Sequence, residues 1–322
     1  MINPITIAPV ANTAGIDTAK DKLDVAVPDR AMHFQVANAL PGWRRVAAKL
    51  AGAGVTRIGI EATGGYERPV VAHLRSAGFT VLVLQPTQVK AYARLHLRRA
   101  KNDVLDAVLI AACAATIAPP AISPDQRLER LAPHLTYLEQ IEEDIVRLKV
   151  RLEHVDDPRL RRLVMADIKR LKLRRIAEIA RIAKALRGHQ DLGRRLDLVL
   201  SVPGIGERTA LAIVVRMPEL GQISREEVAA LAGLAPFDAD SGDHHGQRHI
   251  AGGRGRLRRS LFAAALPAAF RWNPQIKVFY QRLIAAGKPH NLALTACARK
   301  LIIYANTVVL RGTPWTERSV TI

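Results

Sequence analysis

The first third of the chain switches between two hydrophobic periods. Ala14 to Asp17 is a short apolar run ending in a carboxylate, Lys20 to Lys22 makes a charged turn, and Leu23, Val25 and Val27 recur at every second position. This pattern predicts a β-hairpin, with Phe34 to Ala37 as a third strand. Pro41 to Ala51 reads as a helix with its proline in the first turn. Arg57 to Glu61 reads as a buried strand that also ends in a carboxylate, followed by a glycine turn at Thr63 to Tyr66. Glu67 to Ala77 then predicts a helix and Thr80 to Leu84 a strand. Strands alternating with helices argue for an α/β layer fold. Gln88 to Ile117 reads as helical with a break near Ala100, cationic before the break and apolar after it.

Beyond residue 123 the period is helical throughout. Leu128, Leu131, Leu135, Leu138, Ile141, Ile145, Leu148 and Leu152 are spaced three or four apart, a near-heptad seam. Asp157-Pro158 ends it, because proline disfavours helix at the residue before it. A second helix, about Arg159 to Gly188, completes an antiparallel helical hairpin that serves either as a dimerisation or positioning arm or as an intramolecular linker. Further helices are expected at Arg225 to Leu234, Arg256 to Phe270, Pro274 to Ala286 and Asn291 to Leu310. The organisation expected is a domain over 1–123, a coiled-coil or helical-hairpin linker over 124–199 and a mainly α domain over 200–322.

Charge narrows the partner. The 322 residues carry a net charge of +19, which points to a polyanion and most directly to nucleic acid. The excess is dispersed: 14 basic against 8 acidic residues over 1–123, 18 against 13 over 124–199, and 16 against 8 over 200–322. That distribution favours a surface that follows a nucleic-acid backbone over a basic tail. Cys113 and Cys297 sit in apolar helical contexts and read as buried thiols of a reducing compartment. The N-terminus shows no secretory pattern, and the longest uncharged stretch, Ala107 to Pro124, is broken by Pro119-Pro120. A soluble, cytoplasmic protein without a membrane partner is expected.

The candidate chemistry falls into two groups. Asp17 and Glu61 end strands, while Asp103 and Asp106, three apart, share one face of a helix start. If these four converge they form a hard-oxygen site for Mg²⁺ or Mn²⁺, suited to phosphoryl transfer; singly, Asp103 and Asp106 also read as a helix cap and Asp17 as a turn residue, whereas Glu61 after an apolar strand calls for a partner. The second group is the stretch from Ala235 to Arg259. It joins Ser241, the histidines His244, His245 and His249, and a glycine cluster to Arg254, Arg256, Arg258 and Arg259. No cysteine or second ligand cluster accompanies the histidines, which argues against zinc. Lys90, Arg94, Arg98, Arg99 and Lys101 add a cationic run with no acid between Glu67 and Asp103. Gly204 and Gly206 lie in VPGIG, a turn like that of helix-hairpin-helix modules, where the next helix's N-terminal amides can hold a phosphate. Trp272, Phe279 and Tyr280 read as core aromatics, with base stacking as the other option.

GIDTAKDKLDV, IGIEATGGYE, KNDVLDA, VPGIG and APFDADSG with GGRGRLRR occur in this order and together resemble DEDD-type insertion-sequence transposases and the related Piv-type DNA invertases. The resemblance covers nearly the whole chain. It implies an RNase H-like (RuvC-like) N-terminal domain whose acidic set is Asp17, Glu61, Asp103 and Asp106, with Asn102 where many relatives have threonine. It implies Ser241 as a nucleophile, a coiled-coil connector that takes part in assembly, and homo-oligomers, dimers or tetramers, on DNA. A structured guide RNA encoded by the element is a further implied partner. Arg254 and Arg256 are the candidates for holding the scissile phosphate. Two other readings stay open on the residues: a junction-resolvase type of nuclease using the carboxylates and water, and a non-catalytic nucleic-acid-binding scaffold.

Overall fold

A computed structural model describes residues 12–96, 103–118, 124–237 and 249–316, with the side chains of Asp103 and Val104 outside the description. The chain divides into two compact units, Met1–Ala121 and Ile122–Ile322.

The first unit is built on one five-stranded sheet. Strands β1 (Thr13–Thr18), β2 (Lys22–Val27), β3 (Met32–Ala37), β4 (Arg57–Glu61) and β5 (Thr80–Leu84) lie in the order β3-β2-β1-β4-β5. β1 pairs antiparallel with β2 and β2 with β3, whereas β1, β4 and β5 run parallel. Parallel strands need crossovers, and the helices supply them. Helices α1 (Leu40–Gly52) and α2 (Arg68–Ser76) cover one face over Ile16, Leu23, Val25, Ile58 and Ile60. The other face carries α3 (Pro86–Leu95) and α4 (Asp103–Thr116), packed through Leu82, Leu84, Ile110 and Cys113. β4 and β5 end where the sequence predicts, β3 begins two residues early at Met32, and the broken helix resolves into α3 and α4.

α4 lies unusually close to the sheet because the strands offer it glycine. A Cβ on Gly15 of β1 would stand 1.9 Å from the Ala107 carbonyl oxygen. One on Gly59 of β4 would stand 2.5 Å from Ala114 Cβ and 2.9 Å from the Ile110 oxygen. Neither glycine has a left-handed backbone. Their requirement is steric: the α4 backbone at Gly15, and the Ala114 methyl with the Ile110 carbonyl at Gly59, occupy the space of the missing side chains.

The second unit is helical apart from one short ribbon. α5 (Gln126–Glu153) and α6 (Pro158–Arg187) form the hairpin, and α7 (Gln190–Leu200), α8 (Glu207–Arg216), α9 (Arg225–Leu231), α10 (Gly255–Pro267), α11 (Pro274–Ala285) and α12 (His290–Arg311) follow. β6 (Pro236–Phe237) pairs antiparallel with β7 (His249–Ile250). The base of the hairpin does not stand apart. Leu128, Leu135, Leu138, Ile182 and Leu186 share one core with α7, α8, α10 and α12. Its outer part is different, since Val146, Val150, Leu163, Leu173 and Ile176 are each at least half exposed.

Three expectations change in this unit. α9 stops at Leu231, and Gly233 beyond it takes φ +70°. The helix expected to reach Phe270 leaves α-geometry after Pro267 and continues as a π-turn, Ala268–Trp272. Trp272, read as core, is 56% exposed, whereas Phe279 and Tyr280 pack on the core from partly buried positions. Both cysteines are buried and free, and burial pushes the Cys297 thiol up to about 11. α12 is long and apolar enough to cross a membrane by length and composition, but half of that window is buried in the unit's core.

The glycine contacts predict a graded response. Gly15→Val or Gly59→Val lifts α4 from the sheet and costs about 3 kcal/mol in denaturant unfolding. Gly52→Ala, where an added Cβ meets nothing, is neutral or stabilises by about 0.5 kcal/mol. Equal effects at the three sites would contradict the steric account.

Candidate functional site

β1 and β4 end side by side. Their register pairs Gly15 with Gly59 and Ile16 with Ile60, so Asp17 and Glu61 each occupy the next position on neighbouring parallel strands. Side chains alternate along a strand, so Asp17 shares a face with Gly15, and Glu61 shares one with Gly59. That is the face α4 covers. The helix runs opposite to the strands: Arg57 Nη1 donates to the Ala114 and Ala115 carbonyls, Gly59 meets Ile110 and Ala114, and Gly15 meets Ala107 and Ala111. Two residues further along a strand is about 6.6 Å, equivalent to about four residues of helix. The start of α4, with Asp103 and Asp106, therefore overlies the strand ends that carry Asp17 and Glu61.

The structure extends this edge by a residue that the sequence reading missed. Asp24 on β2 pairs directly with Asp17, and Gln35 on β3 pairs with Asp24. Gln35, Asp24, Asp17 and Glu61 thus form one polar row across four strands. Asp24 is buried, held by Gln35 Nε2 at 2.8 Å and Lys22 Nζ at 3.2 Å. The signal was present, because Asp24 falls on the opposite face from Leu23 and Val25, a face that reads as solvent until α4 covers it.

The loops beyond the row are fixed by two more unforeseen residues. Glu67 is buried, and its Oε2 accepts from the Thr63 and Gly65 amides at 3.0 and 2.9 Å. This closes the turn after Glu61, where Gly64 and Gly65 take φ +64° and +106°. Asn38 Nδ2 donates to the Ala19 carbonyl at 2.9 Å and the Tyr66 carbonyl at 3.2 Å, joining the loops that follow β1 and β4. Trp43 Nε1 holds Asn38 in turn at 2.8 Å.

An all-oxygen donor set at this edge suits a hard divalent cation. Among the described residues no three His, Cys, Asp or Glu side chains stand close enough to hold one ion, and the side chain of Asp103 lies outside them. What is described is therefore two strand ends and a helix start that bear carboxylates and lie at one end of the sheet, and not an ion-binding cluster. Lys90 and Arg94 are exposed one turn apart on α3; Arg98, Arg99 and Lys101 lie outside the described residues.

Ser241, His244 and His245 also lie outside the described residues, but the ends of their stretch do not. Pro236 pairs with Ile250 and Phe237 with His249, which brings residues 237 and 249 together. Behind that ribbon the chain is clamped. A Cβ on Gly253, at φ +63°, would stand 2.3 Å from the Gly233 nitrogen. Arg258 Nη1 donates to the Gly233 and Gly252 carbonyls, both at 3.0 Å. Arg254 forms a two-pronged pair with Glu219 at 2.9 and 2.7 Å. Burial alone would raise the Glu219 carboxyl, but Arg254 outweighs it and holds the group below its ordinary value. Arg254, expected at the phosphate, is thus engaged within the protein.

Arg256 is engaged through one nitrogen, donating to the buried Glu139 at 2.6 Å. Arg216 shares Glu139 at 2.9 and 3.0 Å, and burial pushes its guanidinium below its ordinary value despite that partner. Arg208 grips Glu142 at 2.8 Å and donates to Ser260 Oγ at 3.2 Å. Glu139, Glu142, Arg208, Arg256 and Ser260 line a cleft of about 780 Å³ whose lining also includes the exposed Arg259. Gly204 takes φ +93° and presses on Ala268, while Gly206 caps the N-terminus of α8 in an ordinary extended conformation.

Residues 14–155 match the DEDD-type IS110 family described as Transposase, and residues 196–281 match the family described as Transposase IS116/IS110/IS902 family. The chain is 27% identical over 268 residues to proteins named pilin gene-inverting protein, from Moraxella bovis and Moraxella lacunata. Each match covers 80% of this chain and 81% of the relative. It is 32% identical over 123 residues to an insertion element IS110 protein of Streptomyces coelicolor, covering 38% of this chain and 30% of that one.

The Glu219–Arg254 pair makes a pH prediction. A carboxyl lowered by folding stabilises the fold above its unfolded value of about 4.3, and that contribution is lost as pH falls through the folded value. Glu219→Gln should lower the melting temperature near neutrality and flatten its fall between about pH 5 and 3. Parallel melting curves for the two proteins would remove Glu219 as the anchor.

Proposed function

We propose that this chain, which belongs to the DEDD-type IS110 transposase family, recombines DNA through a two-part site, carboxylates at the sheet edge and the hydroxyl of Ser241. The family assignment makes it a DNA recombinase; the division of labour is our reading. The observation that carries it is the edge itself: Asp17 and Glu61 end adjacent parallel strands under the start of the helix that bears Asp103 and Asp106. The strand order, with three parallel strands and an antiparallel hairpin, supports an RNase H-like classification of this unit.

Asp17, Glu61, Asp103 and Asp106 would hold a divalent ion, Mg²⁺ or Mn²⁺. Bound there, the ion supplies a positive charge that stabilises the phosphate oxygens during displacement. The protein's own contribution is positional. Glu67 and Asn38 set the loops around the carboxylates, while the β6–β7 ribbon, the Gly233–Gly253 contact and Arg258 fix the two ends of the Ser241 stretch. Ser241 Oγ would form a bond to phosphorus as one phosphorus–sugar oxygen bond breaks. The proton given up by the serine matches the one gained by the departing sugar oxygen. The resulting phosphoester keeps the bond energy needed for rejoining, as a protein that inverts or moves DNA requires.

Partners follow the same reasoning. Donor and target DNA meet the dispersed positive charge, and a structured guide RNA is compatible with it. The apolar side chains left exposed on the outer part of the α5–α6 hairpin support assembly of copies on DNA as a dimer or tetramer. A junction-resolvase type of cleavage, with water in place of Ser241, is the second reading, favoured by the same carboxylate edge.

Suicide-substrate trapping separates the two. A covalent protein–DNA adduct should map to Ser241 and vanish in Ser241→Ala, and Asp17→Ala and Glu61→Ala should lower cleavage by about a thousandfold or more. Cleavage by Ser241→Ala at the wild-type rate in Mg²⁺ overturns the covalent reading and leaves the water-based one.

A further inference from the structure

Large aromatic side chains exposed together on a soluble surface call for a partner. Phe270 and Trp272 are 54% and 56% exposed and sit two residues apart on the π-turn Ala268–Trp272. Between them Arg271 stacks its guanidinium 4.7 Å from the Trp272 ring centre. Phe270 is fixed from behind by Tyr280 of α11, with ring centres 5.0 Å apart at 55°, and by His290 at 6.4 Å. Tyr280 Oη and His290 Nδ1 share a hydrogen bond of 2.7 Å, so the supporting rings are themselves held. Phe270 is thus a supported aromatic surface, which has less conformational entropy to lose when something flat lies on it.

The turn is tied to the glycine hairpin before α8. Gly204 has no room for a side chain because Ala268 Cβ would lie 2.4 Å from it. Asn273, 2% exposed, donates to the Pro203 carbonyl at 3.0 Å and accepts from the Ile276 amide at 3.0 Å. The aromatic turn is thereby built onto the hairpin whose following helix start presents amides of the kind that receive phosphate. π-turns inside helical runs often mark functional positions, and this one aims two rings outward.

Charge selects the occupant. From 249 to 316 the chain carries eleven lysines and arginines and no aspartate or glutamate. Lys277, Arg282 and Lys288 are exposed on α11 and just after it. Two copies of this face placed together would oppose like charges, whereas a strand with a charged backbone and flat apolar bases complements both features.

We infer that Phe270 and Trp272, with Arg271 between them, form a stacking platform for unpaired nucleobases, with the strand's phosphates directed to the adjacent glycine hairpin. Strand exchange requires bases that have left one duplex and not yet joined another, and the platform serves that interval. The inference rests on the nucleic-acid role of the family and not on covalent chemistry at Ser241. DNA and RNA single strands present the same chemistry, so the probes must separate them.

The test uses the full-length protein without added metal. Fluorescence anisotropy is read with an oligothymidylate of about 16 nucleotides, the matching oligouridylate and a duplex of the same length. Phe270→Ala/Trp272→Ala should weaken single-strand binding by at least about 30-fold and duplex binding by less than about twofold. Phe270→Tyr/Trp272→Phe should restore single-strand binding, with melting temperatures confirming that both variants fold. A stronger effect on one single strand identifies DNA or RNA as the source. Unchanged single-strand affinity in the alanine variant overturns the proposal, as does an equal loss on single strand and duplex. Dissociation of an oligomer without a selective loss of single-strand binding also overturns it and marks the face as a contact between copies. Ser241→Ala should bind single strands normally, so failure of the covalent reading and failure of the platform give different results.

Discussion

The first unit depends on one contact, the backbone of α4 seated directly on two glycines. Most helix-on-sheet packing keeps two layers of side chains between the elements; here the sheet contributes none at Gly15 and Gly59, and the Ala107 and Ile110 carbonyls and the Ala114 methyl of α4 occupy the space. This closeness has a chemical consequence. A helix start held off by a layer of leucines could not bring short aspartates to the ends of the strands below. With the helix lowered, Asp106 lies one residue from the Ala107 contact and Asp17 two residues beyond Gly15. The glycines carry no functional group, yet they set how near the start of α4 lies to the strand ends. The same contact buries Asp24, which explains why that carboxylate needs both Lys22 and Gln35.

In the second unit the organising interactions are ionic. Glu139 and Glu142 of α5 bind Arg216, Arg208 and Arg256 of α8 and α10. Desolvation offsets much of the attraction in such a network, but removing Glu139 would leave the half-buried Arg216 without its counter-charge. Its geometric effect is plain. The hairpin, the helix after the glycine turn and the helix after the Ser241 stretch are locked in one register, and Arg254 with Glu219 adds a fourth point. Arginines that look in sequence like a phosphate cradle are partly structural bolts.

How far the sequence could be read follows from the range of the forces involved. β4 and β5 were legible to the residue because each is an apolar run bounded by polar or turn-forming residues. The positions of Asp17 and Glu61 near the strand ends were legible for the same reason. Asp24, Glu67 and Asn38 were not, because what makes them matter lies on another strand or in another loop. Trp272 was misjudged on composition: an aromatic in a helical domain was assigned to the core, but the departure from α-geometry after Pro267 turns it outward. α9 was overextended because Ala232 to Leu234 continues the apolar pattern, whereas Gly233 turns left-handed at φ +70° and packs against Gly253, which ends the helix.

The net charge of +19 takes on a different meaning once its internal partners are counted. Charge held in pairs such as Arg254 with Glu219, or Arg216 with Glu139, exerts little field at a distance. Positive charge without such partners has the longer reach, and in the second unit much of it lies in the acid-free stretch around α11 and α12. The carboxylates of the first unit are the opposite case, a concentration of negative charge at one edge that would itself repel a phosphate. For DNA to approach that edge its charge has to be inverted locally, which a bound cation does and arginines engaged elsewhere cannot. Under the proposed function the two kinds of surface have separate tasks: exposed arginines and lysines would attract nucleic acid, and the carboxylate edge would accept a phosphate only once a cation had offset its charge.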